Sequence, residues 1–433
     1  MSPEIIGITG LVILVVLLVL RLWIGAAMAL VGFLGYTIIM GIKPAFAVIS
    51  QIPFSTMSWY PMTTVPLYVF MGCILFQSGV GRDLYETAYA LVGQLRGGLA
   101  MATVMACALF ASITGISAPA LVTMGKVALP AMRKYKYDDN LALGSIACAG
   151  TLAFLIPPSM SFIIYGILTE TSIARLYMAG FLPGILLAGL FIITVTIITA
   201  RRPQAGPAGP KTSFREKAVS LKGTWPTLLL FLVVLGGIYL GIFTPTEGGA
   251  VGAFGALVIT AAMLRLNFQK LRDAVIEATQ TTALVMLLII GAYILMKFLA
   301  VSRLTILMGT TVAQLPVHPM VIFAGLVILY IILGMFLDII SAVILTLPVV
   351  YPLILAMEWD PIWFGVVITI LIEMGLVTPP VGLDAFVLAG AIDVPLGTIF
   401  RSIIPFLIAE IVCIIIITIF PQIALFLPST MHF

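Results

Sequence analysis

Apolar residues along this chain gather in long runs instead of alternating with polar ones at helical or strand spacing. Runs near 20 residues cover 3–20, 24–41, 62–79, 176–199, 225–243, 249–264, 281–300 and 402–420, about the length that crosses hydrocarbon as a helix. Two stretches differ. RDLYETAYALVGQL (82–95) and NFQKLRDAVIEATQ (267–280) mix charges with apolar residues at helical spacing, and so predict helices lying in the membrane interface. The pattern predicts an all-α polytopic membrane protein. Composition agrees, with 62% hydrophobic and 9% charged residues, against about 25% charged for a soluble chain.

The runs are interrupted where interruption is costly. TLAFLIPPSMSFIIYG (151–166) is apolar enough to lie in a bilayer, yet Pro157 and Pro158 stand in its middle. Two prolines remove two backbone donors and clash with the preceding turn, so no continuous helix runs through them. Loose polar groups are tolerated at membrane depth only when buried in protein or lining a polar cavity. Ser159 and Ser161 follow directly. The same dipeptide recurs in VTPPVG (377–382). Sliding the sequence by 222 residues sets Pro130 on Pro352, Asp138 on Asp360, Pro157-Pro158 on Pro379-Pro380 and Pro183 on Pro405. With only 26 prolines in 433 residues, this coincidence predicts two structural repeats, 62–200 and 284–420. Residues 1–61 and 224–283 are then scaffold helices, the latter with the interfacial stretch, and 421–433 form a tail. The polar, basic stretch RRPQAGPAGPKTSFREKAVSLKG (201–223) reads as a cytoplasmic linker; contact there with membrane lipid or a partner stays open.

Charge gives the orientation. If a hairpin over 98–131 enters and leaves on the cytoplasmic side, 16 Lys and Arg fall on that side and only Lys43, Arg175 and Arg303 on the other. A second hairpin, 319–356, runs into AMEWDP, which has no basic residue, so it belongs to the opposite face. The repeats are expected to be inverted, each with one re-entrant hairpin and one broken helix (140–167 and 361–390), as in secondary transporters. The net charge of +4 comes from basic loops and points to no nucleic acid.

FASITGISAPALVTMG (110–125) supplies the first tip. Ser112, Thr114, Gly115 and Ser117 let two half-helices meet while offering oxygens, although close helix packing favours the same residues. Freed carbonyls, hydroxyls and helix C-termini suit sodium, and half-helix N-termini suit an anionic substrate group. The second tip, GMFLDIISA (334–342), carries Asp338 in an apolar setting. A carboxylate there is costly and is a functional candidate, suited to substrate hydroxyls, to a cation, or to pairing with Lys126 or Lys297. Glu373 and Asp384 flank the second break, and Glu247 is expected in a surface loop.

Several classes are excluded. Glu4 replaces a basic leader region and no small-residue cleavage site follows, so no cleavable signal peptide is expected. Cys73, Cys107, Cys148 and Cys413 are far apart in apolar segments, without a disulfide frame or CxxC motif. There is no HExxH, no Walker A loop and no GxSxG in a strand–turn–helix setting. No enzyme activity, metal other than sodium, or organic cofactor is expected, and transport would draw on an ion gradient or a separate motor.

FASITGISAPALVTMGKVALPAM (110–132), FLIPPSMSFIIYG (154–166) with AGFLPGILLA (179–188), and GMFLDIISAVILTLPVVYP (334–352) with GLVTPPVGLDAFV (375–387) together resemble the large membrane subunit of TRAP transporters. These are the tripartite ATP-independent periplasmic transporters of the bacterial inner membrane. The resemblance implies an elevator mechanism, in which two hairpins and two broken helices carry substrate and sodium past a scaffold. It implies organic-anion substrates: dicarboxylates, keto acids, sugar acids such as sialic acid, or sulfonates. It also implies two partners, a periplasmic substrate-binding protein and a small membrane subunit, the latter separate because no fused four-helix portion precedes the first span. By position, Ser117, Ser159, Ser161 and Asp338 would meet substrate. Ser112, Thr114, Gly115, Pro157, Gly334, Asp338, Thr378, Pro379 and Gly382 would surround sodium. Many relatives have a serine-rich first tip, whereas Ile113 and Ile116 stand here. No arginine lies in either motif, which leaves charge compensation to helix ends and sodium. The alternative is a standalone sodium/dicarboxylate carrier that needs no binding protein.

Overall fold

A computed structural model describes residues 2–431 apart from 116, 211 and 308–316, with backbone alone at 111–114. Its regular structure is helical throughout the described residues. In chain order the helices are α1 Pro3–Val19, α2 Ile24–Met40, α3 Ile42–Met57, α4 Thr64–Gln77, α5 Val80–Val92, α6 Gly98–Thr114, α7 Ser117–Lys134, α8 Asp139–Leu155, α9 Met160–Thr169 and α10 Ile173–Arg201. There follow α11 Phe214–Tyr239, α12 Pro245–Ala262, α13 Phe268–Val301, α14 Pro319–Phe336, α15 Ile339–Ala356, α16 Pro361–Val377, α17 Leu383–Ile392, α18 Leu396–Ser402, α19 Ile404–Ile419 and α20 Gln422–Ser429. Five described helices, and α8 with α9 taken as one interrupted span, are long and apolar enough to cross a membrane, six in all, or up to eight counting the bent pairs α3 with Tyr60–Gln77 and α18 with α19. The protein is therefore multi-pass.

Burial is arranged for hydrocarbon. Every residue of α8 from Leu141 and of α16 from Trp363 is buried, so these two form the centre. Large apolar side chains stand exposed on peripheral helices, among them Val12 and Val15 on α1, Leu232 on α11 and Ile328 on α14, which is the face a lipid-solvated helix presents. Helix starts follow local chemistry. Asp138 accepts from Asn140 N at 2.7 Å to cap α8, and Asp360 accepts from Ile362 N at 2.8 Å to cap α16. With a shift of 222 residues, the bounds of α7 fall on those of α15 and the bounds of α8 on those of α16.

Several sequence expectations need correction. Residues 267–280 are no separate interfacial helix but the start of α13, capped where Asn267 accepts from Lys270 N at 2.8 Å. Charged residues on an exposed face do not stop a helix. The end of the linker, from Phe214, is already α11, started by a capping box between Ser213 and Glu216. The rest of the linker is strapped to the turns above it: Gly97 N donates to Gly206 O at 2.8 Å, and Asp138 N to Ala205 O at 2.9 Å. Glu247 sits in the first turn of α12, paired with Thr244 in a second capping box, not in a loop. α3 was not anticipated by any apolar run.

Candidate functional site

The break between α8 and α9 follows from missing donors. In a continuous helix Ala153 O and Phe154 O would receive the N–H groups of residues 157 and 158, and both are prolines. Ser159 takes one of those places, its hydroxyl donating to Phe154 O. In the second half Pro379 and Pro380 deprive Gly375 O and Leu376 O in the same way. Thr378 N turns back onto Gly375 O at 2.9 Å, and Thr378 Oγ1 donates to Met374 O at 2.6 Å. Both Pro–Pro peptide bonds are cis.

Each hairpin tip rests on the break of its own half. Gly115, with φ +63°, turns α6 into α7, and a Cβ there would stand 2.8 Å from Pro158 O. Glycine meets both demands, a left-handed turn and a close approach. On the other side Gly382 N donates to Met335 O at 3.1 Å, joining the second break to the end of α14. One turn earlier α14 and α16 nearly touch, for a Cβ on Gly334 would reach within 3.0 Å of Gly375 Cα.

Two contacts stitch the halves together. Ser117 Oγ, at the start of α7, donates to Asp384 Oδ1 on α17 at 2.8 Å. Ser161 on α9 and Thr369 on α16 share a hydroxyl hydrogen bond of 2.8 Å. Tips, breaks and half-helix ends from both halves thus meet around α8 and α16. Of the residues singled out from the sequence, Gly115, Ser117, Pro157, Ser159 and Ser161 gather at the first break, and Gly334, Thr378, Pro379 and Gly382 at the second. The side chains of Ser112 and Thr114 lie outside the described residues. The breaks differ in one respect: residues 156–160 are all buried, whereas Pro379 and Pro380 are exposed.

The carboxylates are distributed differently from expectation. Asp338 is exposed, caps α15 by accepting from Ser341 N at 3.2 Å, and pairs with neither Lys126 nor Lys297 among the described residues. It lines a cavity of about 440 Å³ shared with Arg21, Trp23, Thr281 and Ser341. The buried acids are Asp384 at 4% exposure, Glu373 at 1% and Glu410 at 1%. Neither oxygen of Glu373 or Glu410 has a partner among the described residues, nor does Asp384 Oδ2. Glu373 lies within electrostatic reach of both Glu410 and Asp384, and Asp384 within that of Asp338. Glu410 on α19 escaped the sequence reading, although a lone carboxylate in IPFLIAEIVCIIII was a visible signal. The oxygens of Glu373, Asp384 and Glu410 that lack partners among the described residues offer ligands to a cation. No group of three or more metal-ligating side chains is assembled among the described residues.

Comparisons with known proteins identify the family. The profile of the family described as "Tripartite ATP-independent periplasmic transporter, DctM component" matches residues 11–423. The C4-dicarboxylate TRAP transporter large permease protein DctM of Pseudomonas aeruginosa is 34% identical over 87% of this chain and 88% of its own length. The sialic acid TRAP transporter large permease protein SiaM of Vibrio cholerae is 30% identical, covering 86% of each chain. In fold alone, the YdaH transporter of Alcanivorax borkumensis superposes with a TM-score of 0.60 at 14% identity, over 88% of this chain and 89% of that one. Matched along nearly its whole length, the chain belongs to the DctM component family of the tripartite ATP-independent periplasmic transporters, as a multi-pass protein of the bacterial inner membrane.

Proposed function

We propose that this chain imports a small organic anion together with sodium, moving both past a scaffold by an elevator motion of its hairpins and broken helices. The observation that carries this reading is the pairing of two interrupted helices with two hairpin tips, tied across halves by Ser117–Asp384 and Ser161–Thr369. Half-helix ends and freed carbonyls suit a hard cation, and the buried carboxyls of Glu373, Asp384 and Glu410 add oxygens without partners among the described residues. Bound sodium then supplies positive charge to the anionic substrate, which couples the two bindings. Matching helix bounds at the 222-residue shift support two repeats, and the Lys/Arg asymmetry supports their opposite orientation.

Relatives named for C4-dicarboxylate, sialic acid and 2,3-diketo-L-gulonate support a small organic acid as the substrate. A small membrane subunit and a periplasmic substrate-binding protein complete the machine. The test is uptake into liposomes holding this chain with its small subunit, with the binding protein outside. Uptake is expected only with an inward sodium gradient and loaded binding protein. Equal uptake in potassium refutes sodium coupling, and saturable uptake without binding protein makes the chain a standalone carrier.

A further inference from the structure

At the end of the molecule that carries the linker, a cavity of about 310 Å³ opens between the start of α8, the end of α10 and the junction of α18 with α19. Arg201, Arg202 and Arg401 line it together with Asp138, Asn140 and Ser402. None of the three guanidiniums has a carboxylate partner among the described residues, whose ion pairs are Arg82–Glu86, Arg133–Asp139 and Arg265–Asp83. Asp138, the acid in the lining, is engaged by Asn140 N as the cap of α8. Three fixed positive charges therefore face one negative charge. The planar, forked donors of arginine match phosphate oxygens in pairs.

The surroundings say what carries that phosphate. Just before Arg201, α10 exposes Ile193 and Ile197; just after Arg401, α19 exposes Ile404 and Ile408. α10 and α19 pack against each other, so the basic cavity stands at the head of an apolar surface. A free phosphate ion satisfies the arginines and has no use for the isoleucines. A zwitterionic lipid brings its own ammonium beside the guanidiniums, which opposes what its phosphate gains.

We infer that this cavity binds the phosphate of an anionic glycerophospholipid, whose acyl chains lie along α10 and α19. A single occupant then touches α8, α10 and α19, the helices that surround the site and its buried acids. The inference requires only that the chain lie in a membrane, and does not depend on the coupling ion or substrate.

Purified protein in neutral detergent, titrated with phosphatidylglycerol or phosphatidylcholine and read by native mass spectrometry, tests it. One phosphatidylglycerol is expected to stay bound per chain and to be preferred over phosphatidylcholine. R201Q/R202Q/R401Q should weaken retention roughly a hundredfold, and R401Q alone about fivefold should the triple variant fail to fold. Lys43→Gln, outside the cavity, should change nothing. Equal retention of the two lipids, or full retention by R401Q and the triple variant, overturns the inference. So does displacement of phosphatidylglycerol by inorganic phosphate at equal concentration, which makes the cavity a site for a free ion.

Discussion

At the scale of single residues, the contact between Ser117 and Asp384 is where the two halves of the chain meet through a buried carboxyl. Asp384→Asn keeps an oxygen for the Ser117 hydroxyl but removes the charge. Folding is expected to survive, and half-saturation for sodium in uptake assays should rise about tenfold to a hundredfold, the range for losing a hydrogen bond or contact to a charged group. An unchanged sodium response removes Asp384 from the ion path. Glu410 calls for the opposite expectation about stability. Its two oxygens are buried without partners among the described residues, and Thr151, its hydroxyl neighbour, already donates to Cys148 O at 2.7 Å. Glu410→Leu should stabilise the fold by roughly 1–3 kcal/mol, read as a higher thermal midpoint in detergent, while slowing uptake. A lower midpoint means that the carboxylate has a partner in the folded protein. Residues such as Gly115 and Ser117 were legible because small polar groups stand out in an apolar run. Asp338 stands out above Asp384 in the sequence, whereas the structure exposes Asp338 as a helix cap and buries Asp384. A cap and a buried acid look alike beside the same kind of apolar string. The neighbours of Glu410 lie on α8 and α16, far away in sequence, and only folding brings them together.

At the scale of elements, the breaks exist because proline withholds donors, and their chemistry depends on the carbonyls left behind. Replacing Pro157 and Pro158 together by alanine returns N–H groups to Ala153 O and Phe154 O and releases the Ser159 hydroxyl. α8 should then run into α9, pushing Gly115 off Pro158 O, which is 2.8 Å from where its Cβ would stand. The expected outcome is a folded protein whose uptake no longer responds to sodium; a wild-type sodium response means that the first break is not part of the ion site. These elements were legible in the sequence because Pro-Pro pairs and Asp caps act locally. The length of α13 was not. Arg272 and Asp273 read as an interfacial signature, yet polar residues on an exposed helix face leave the backbone ladder intact. α3 was hidden for a related reason, since its Ser, Gln, Lys and Pro residues dilute the apolar run.

At the scale of the whole molecule, the exposed tip of the second hairpin faces the α1–α2 turn across the cavity that Asp338 shares with Arg21 and Trp23. Under the proposed elevator motion the hairpins travel past a scaffold that includes α1 and α2, and these two surfaces then separate in every cycle. Trp23→Cys with Ile340→Cys places one thiol on each wall of that cavity, and the four native cysteines are buried and slow to react. A short bismaleimide is expected to join the two introduced thiols and abolish sodium-driven uptake in the joined fraction. Each single-cysteine variant should keep its uptake after the same treatment. Uptake at the normal rate through joined protein would mean that the tip and the α1–α2 turn never part. The substrate would then cross by gating around a fixed site, with the hairpins opening in place while the halves stay locked by Ser117–Asp384 and Ser161–Thr369. Blocked uptake that returns when a longer, flexible bismaleimide replaces the short one points to sliding, because the added length restores travel without removing the link.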